Sequence, residues 1–86
     1  MTKEHLMATL VSALSTTFTP AAGDFLVQVT GGSAVLQRRN TSGAAWAPVE
    51  LLDTGAYVLS NPVAGADYRF VAPPSSLTTG TVQADQ

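Results

Sequence analysis

Between Phe25 and Val82, apolar and polar side chains take turns, and Gly, Pro, Asn and Asp interrupt the alternation at short intervals. A period of two is that of a β-strand with one face buried and one face wet. FLVQVT, starting at Phe25, sets Phe25, Val27 and Val29 against Leu26, Gln28 and Thr30, and Gly31-Gly32 ends it. SAVLQRR follows at hairpin distance, with Ala34, Leu36 and Arg38 on one face and Val35, Gln37 and Arg39 on the other. After the turn cluster Asn40-Thr41-Ser42-Gly43, WAPVELL forms a strand whose Pro48 donates no ladder hydrogen bond and so belongs at an edge or bulge. AYVLS, DYRFVA and a short strand around Val82 complete six strands. Breaks spaced roughly every 8–12 residues predict an all-β fold: a small antiparallel β-sandwich or barrel of about six to seven strands. Phe25, Val27, Leu36, Trp46, Tyr57, Tyr68 and Phe70 are the expected core.

Ahead of this pattern, residues 3–15 (KEHLMATLVSALS) place Leu6, Leu10 and Leu14 four apart with Met7 and Val11 beside them, an amphipathic helical stripe. The β-branched Thr9, Val11, Thr16 and Thr17 oppose a helix. A short helix and an extended arm both remain open, and the stripe either anchors on a partner or packs on its own sandwich. Thr19-Pro20-Ala21-Ala22-Gly23 reads as a linker, dividing an arm at residues 1–18 from a β-domain at residues 19–86. Residues 6–14 resemble the apolar stretch of a signal peptide, but Lys3 alone precedes them and no A-x-A site follows, so no cleaved signal is expected.

Eighty-six residues suffice for one domain that buries about 60–65% of its unfolded surface. There is no cysteine, hence no disulfide or thiolate metal site to add stability. Charged residues make up 12% of the chain, against roughly 25% in a typical soluble domain; Ala, Thr, Ser and Gly fill the gap. A surface poor in Lys, Glu and Asp is that of protein–protein interfaces, so a homo-oligomer or many-copy assembly is expected. The net charge of −2 with scattered bases argues against nucleic acid, and no apolar run approaches the roughly 20 residues that span a bilayer.

Asp53-Thr54-Gly55-Ala56 after Leu51-Leu52 reads like the catalytic loop of an aspartic protease. Such an enzyme needs two carboxylates sharing one proton, so a chain with one loop would have to be a homodimer. The second half of that enzyme is missing: its nearest apolar-apolar-Gly, Val63-Ala64-Gly65, comes ten residues after the loop, and too few residues follow for the remainder. Asp53-Thr54-Gly55 is therefore expected to be a turn, with Asp53 bonding its own backbone and Gly55 relieving strain. The lone His5 and the absence of Cys leave no Ser-His or Cys-His pair. Asp53 and Asp67 fit no calcium loop, and no Gly-rich loop joins a strand to a helix. No enzyme, cofactor or metal is expected. Trp46 and Tyr57 are the residues from which a sugar platform would be built, although a lone Trp in a small domain is usually core.

The stretch from residue 19 to 82, about three quarters of the chain, resembles a group of small structural proteins encoded among the virion genes of tailed bacteriophages. The matching features are TPAAGDFLVQVTG, then VLQRR, a Gly-containing turn into Trp46, GADYRF from Gly65, and TTGTV from Thr78. Their order implies a β-meander and a non-enzymatic virion component, and leaves open which part of the particle it occupies. The favoured reading is a capsid decoration or cement protein on the capsid surface, whose partners are the major capsid protein or other virion proteins. A tail, baseplate or fibre module binding virion proteins or a host-surface glycan is the alternative. Interface candidates are Leu6, Met7, Leu10, Val11 and Leu14 of the arm, with Arg38, Arg39 and Arg69 on the strands.

Overall fold

The computed structural model describes residues 8–60, 63 and 65–86. It is a β-sandwich of seven strands: β1 (Thr9–Val11), β2 (Phe25–Thr30), β3 (Ala34–Arg39), β4 (Ala47–Leu52), β5 (Gly55–Leu59), β6 (Asp67–Val71) and β7 (Thr81–Asp85). All pairings between strands are antiparallel. One sheet has the order β1-β7-β2-β5 and the other β4-β3-β6.

The central strands carry the alternation most cleanly, because each has one face in the core and a neighbour on either side. In β2, Phe25, Val27 and Val29 are buried while Leu26, Gln28 and Thr30 are exposed. In β3, Ala34 and Leu36 point inward, and in β6 Tyr68 and Phe70 do. Fully burying a side chain such as Phe70, Leu36 or Leu52 contributes roughly 1.5–3 kcal/mol. Edge strand β4 is exposed on both faces except at Leu52, and a bulge opposite Leu36 and Gln37 leaves Val49 without a partner, next to Pro48. The placement of Pro48 at an edge and beside a bulge follows from its missing N–H.

The chain is not a meander. Of the consecutive strands only β3 and β4 pair with one another. Gly31-Gly32-Ser33, expected to turn a β2–β3 hairpin, instead carries the chain from one sheet to the other. Gly31 has φ 77°, and the Ser33 N–H donates to the Thr78 carbonyl at 2.8 Å while the Gly80 N–H donates to the Ser33 carbonyl at 2.9 Å. The bonds that a hairpin would make locally go to the β6–β7 crossover.

The N-terminal segment belongs to the same body as the strands. Thr9–Val11, inside the stripe read as helix or arm, is the short edge strand β1 on β7, extended by reciprocal 2.9 Å bonds between Ala8 and Gln86. Among the described residues no helix forms. The chain then reverses at Ser15, whose φ of 62° is left-handed, and joins the edge of the second sheet. There Ser15 N–H donates to Phe70 O at 2.6 Å, and Phe18 and Tyr68 exchange two bonds of 2.8 Å. One segment therefore edges both sheets in turn. Val11 and Phe18 lie in the core, with Leu10 and Leu14 packed against it, and Pro20 is fully buried. The described residues of the arm and the linker pack into the same sandwich as the strands. Phe18 stands in an aromatic cluster, stacked on Phe70 (centroids 5.6 Å apart, planes at 15°) and edge-on to Phe25 (5.9 Å, 76°).

Candidate interaction surface

Asp53, the residue of the protease-like loop, lies in the two-residue link that carries β4 across to β5. Its carboxylate accepts a 2.9 Å bond from the Ser33 hydroxyl, not from its own backbone as the turn reading had it. Its carbonyl accepts from the Tyr57 hydroxyl at 2.7 Å. Thr54 Oγ1 donates to the Gly32 carbonyl at 2.7 Å and accepts from the Gly32 N–H at 3.0 Å. Gly55, at φ 152°, supplies a backbone conformation unfavourable to other residues. The loop thus staples the two short crossovers together at one end of the sandwich, with the Asp53 carboxylate, the Asp53 carbonyl and the Thr54 hydroxyl each bonded within the fold.

The arginines separate. Arg38 and Arg39, adjacent in sequence, point to opposite faces of β3. Arg38 turns toward a cleft of about 200 Å³ where the edge strands β4 and β5 of the two sheets come near one another. Apolar Phe25, Leu36, Leu59 and Tyr68 line its depth, and Glu50 lines it beside Arg38.

Arg39 and Arg69 meet on the outer face of the three-stranded sheet, and the residue that brings them together is Trp46. Its ring, half-buried, takes the Arg39 guanidinium carbon 4.4 Å and the Arg69 guanidinium carbon 4.3 Å from its centroid. Such stacking is worth about 0.5–2 kcal/mol per cation. Trp46 was expected in the core; it closes instead over the outside of the sheet, since it precedes β4 and reaches back across the loop at residues 40–46. The side chains under it are fixed by their Nε atoms. Arg39 Nε donates to Asp67 Oδ2 at 3.0 Å, and Arg69 Nε donates to Gln37 Oε1 at 2.7 Å. Asp67 also accepts from the Thr19 hydroxyl at 2.9 Å. The Trp46 ring is thus engaged by two guanidiniums, and the Tyr57 hydroxyl is tied to the Asp53 carbonyl. The adjacency of Arg39 and Arg69 was open to inference from alternation and strand pairing; the role of Trp46 carries no local signal, because it depends on how a loop folds over a face.

The outer face of the other sheet is nearly without charge. Leu26, Gln28 and Thr30 of β2, Ala56 and Val58 of β5, and Thr81, Gln83 and Asp85 of β7 point outward there. Leu26, Ala56 and Val58 line a shallow apolar hollow of about 210 Å³, and Val58 is 59% exposed. Of the arm candidates, Leu10, Val11 and Leu14 face this chain's own core; Leu6, Met7 and His5 lie outside the described residues. Asp53 and Asp67 belong to separate clusters, and among the described residues no group of three or more His, Cys, Asp or Glu stands ready for a metal ion.

No family model, curated protein or solved structure matches the chain.

Proposed function

We propose that this chain is a non-enzymatic structural protein of a tailed-phage virion, a capsid decoration or cement protein that stabilises the shell through many copies of one modest contact. The observation that carries the reading is the outer face of the four-stranded sheet, where Leu26, Ala56 and Val58 are surrounded by Gln and Thr and Asp85 supplies the charge. A free monomer ordinarily keeps its surface apart from its neighbours with interspersed charge, whereas interface cores are depleted in it. The unpaired edges of β4 and β5 add to this, since an open edge offers backbone groups to another chain. Many-copy attachment to a lattice makes a weak individual contact sufficient, because linked binding events raise avidity. The resemblance of residues 19–82 to virion structural proteins points the same way.

The reading is tested in purified particles of the phage that encodes the chain. Heads and tails are separated, the chain is quantified in each fraction by mass spectrometry, and intact particles are labelled with antibody against it. Abundant chain in the head fraction with label on the shell is expected. Its absence from particles, or its confinement to tails, overturns the decoration role.

A further inference from the structure

The outer face of the three-stranded sheet is graded along its strands. At one end Leu51, Val35 and Val71 lie side by side across β4, β3 and β6, and Leu51 is 45% exposed. In the middle Pro48, Gln37 and Arg69 form the next row, and Arg39 beside Asp67 forms the last, with Trp46 closing over both arginines. Two guanidiniums share this end with one carboxylate. Asp67 pairs with Arg39; Arg69 is held by the neutral Gln37, and among the described residues it has no carboxylate partner. The face is thus locally cationic on a chain whose net charge is −2.

We infer that this face is a docking surface for a protein segment that brings a carboxylate to Arg69 and Arg39 and apolar side chains to Leu51, Val35 and Val71. Stapling the loop at residues 40–46 to the sheet requires only one cation on Trp46, yet two are gathered there against their mutual repulsion, and a second acid relieves it. Each guanidinium is stacked on an indole and bonded through Nε, so its orientation is set before binding and its terminal nitrogens form the remaining donor edge for a bidentate carboxylate. Fixing those side chains in advance lowers the ordering cost of association. Trp and Arg together, flanked by apolar surface, have the composition of an interface hot spot. Nucleic acid fits poorly: the chain is acidic overall, the arginines number two, and the adjoining apolar row has no use for a phosphate backbone. This inference takes from the proposed function that the chain works among other proteins, and adds a second contact on the sheet opposite the low-charge face.

Trp46 is the single tryptophan of the chain, so its emission reports on the site alone. The full chain is titrated with the capped peptide Glu-Ser-Leu-Ser-Leu, which when extended presents its acid and both leucines on one face, at low salt, with inorganic phosphate as a parallel arm. A saturable change in Trp46 emission is expected from the peptide, weakened about tenfold or more by Arg69→Gln, the scale expected when a charged hydrogen bond is lost. Leu51→Ser weakens it further, and each variant is checked for an unchanged urea midpoint; if Arg69→Gln is unfolded, Arg69→Lys replaces it. Absence of a saturable change, equal affinity in the Arg69 variant, or saturation by phosphate alone overturns the inference. None of these outcomes bears on where the chain sits in the particle, so the virion reading stands or falls separately.

Discussion

Gly32 and Gly80 meet backbone to backbone where the β2–β3 crossover touches the β6–β7 crossover. A Cβ on Gly32 would lie 2.5 Å from the Thr78 carbonyl oxygen and 2.7 Å from the Gly80 nitrogen, and one on Gly80 would lie 2.8 Å from the Gly32 carbonyl carbon. The obstructing atoms are backbone, held by the Ser33 bonds to Thr78 and Gly80. Gly32→Ala is therefore expected to lose about 3 kcal/mol or more, in the range of severe overpacking. Gly31→Ala, where a Cβ meets open space but φ is 77°, should lose only about 1–2 kcal/mol. Urea midpoints of the two variants separate crowding from conformational strain.

Phe18 couples the N-terminal segment to the core through its ring and its backbone. Phe18→Ala removes the partner of Phe25, Tyr68 and Phe70 and should cost about 3–5 kcal/mol. Deleting residues 1–18 removes Val11 and β1 as well, and the remainder is expected to lose cooperative unfolding. A truncated chain with a full-height, sigmoidal urea transition contradicts this placement of the segment.

Asp67 accepts from both Arg39 and Thr19, and its side chain is 16% exposed. Asp67→Asn leaves the Arg39 charge without its counterion in a half-buried site, at a cost of about 1–3 kcal/mol. Trp46 emission should shift in the same variant, because the Arg39 guanidinium beneath the ring loses its anchor. Stability measured by denaturation and emission measured in native buffer check the two halves separately.

Val58 stands on the low-charge face and is more than half exposed. Val58→Lys should change folding stability by less than about 0.5 kcal/mol, as at other open surface positions. On the proposed decoration role, particle occupancy should nevertheless fall sharply, because the variant would place a desolvated Lys with no partner acid in the proposed contact. Retained full occupancy of shells by this variant shifts the contact away from the four-stranded sheet.

Ser33 is buried and its hydroxyl is satisfied by Asp53. Ser33→Ala should cost about 1 kcal/mol, the ordinary net worth of one such bond. Asp53→Asn keeps an acceptor oxygen for Ser33 and should cost less. Denaturation curves of the pair show whether the Asp53 carboxylate serves the loop through its geometry or its charge.

Local chemistry alone determined a good deal of this protein. Period-two alternation marks every inward residue of β2, β3 and β6, since adjacent side chains of a strand point oppositely whatever surrounds them. The edge position of Pro48 follows in the same way from its missing N–H, and the turn at Asp53-Thr54-Gly55 from the preference of Asp and Gly for such breaks. What the tertiary structure decided is which strands pair and which loops cover them. Gly31-Gly32 satisfies a hairpin and a sheet crossover equally well, and only the meeting with Gly80 selects the crossover. The stripe Leu6, Leu10, Leu14 has helical spacing, yet Val11 and the described leucines beside it are recruited by edges of β7 and β6 left open by residues far along the chain. Trp46, apolar enough for any core, is drawn outward by two arginines that become neighbours only once β3 and β6 pair. Pairing between distant segments is set by long-range burial and backbone hydrogen bonding, and neither leaves a local mark in the sequence.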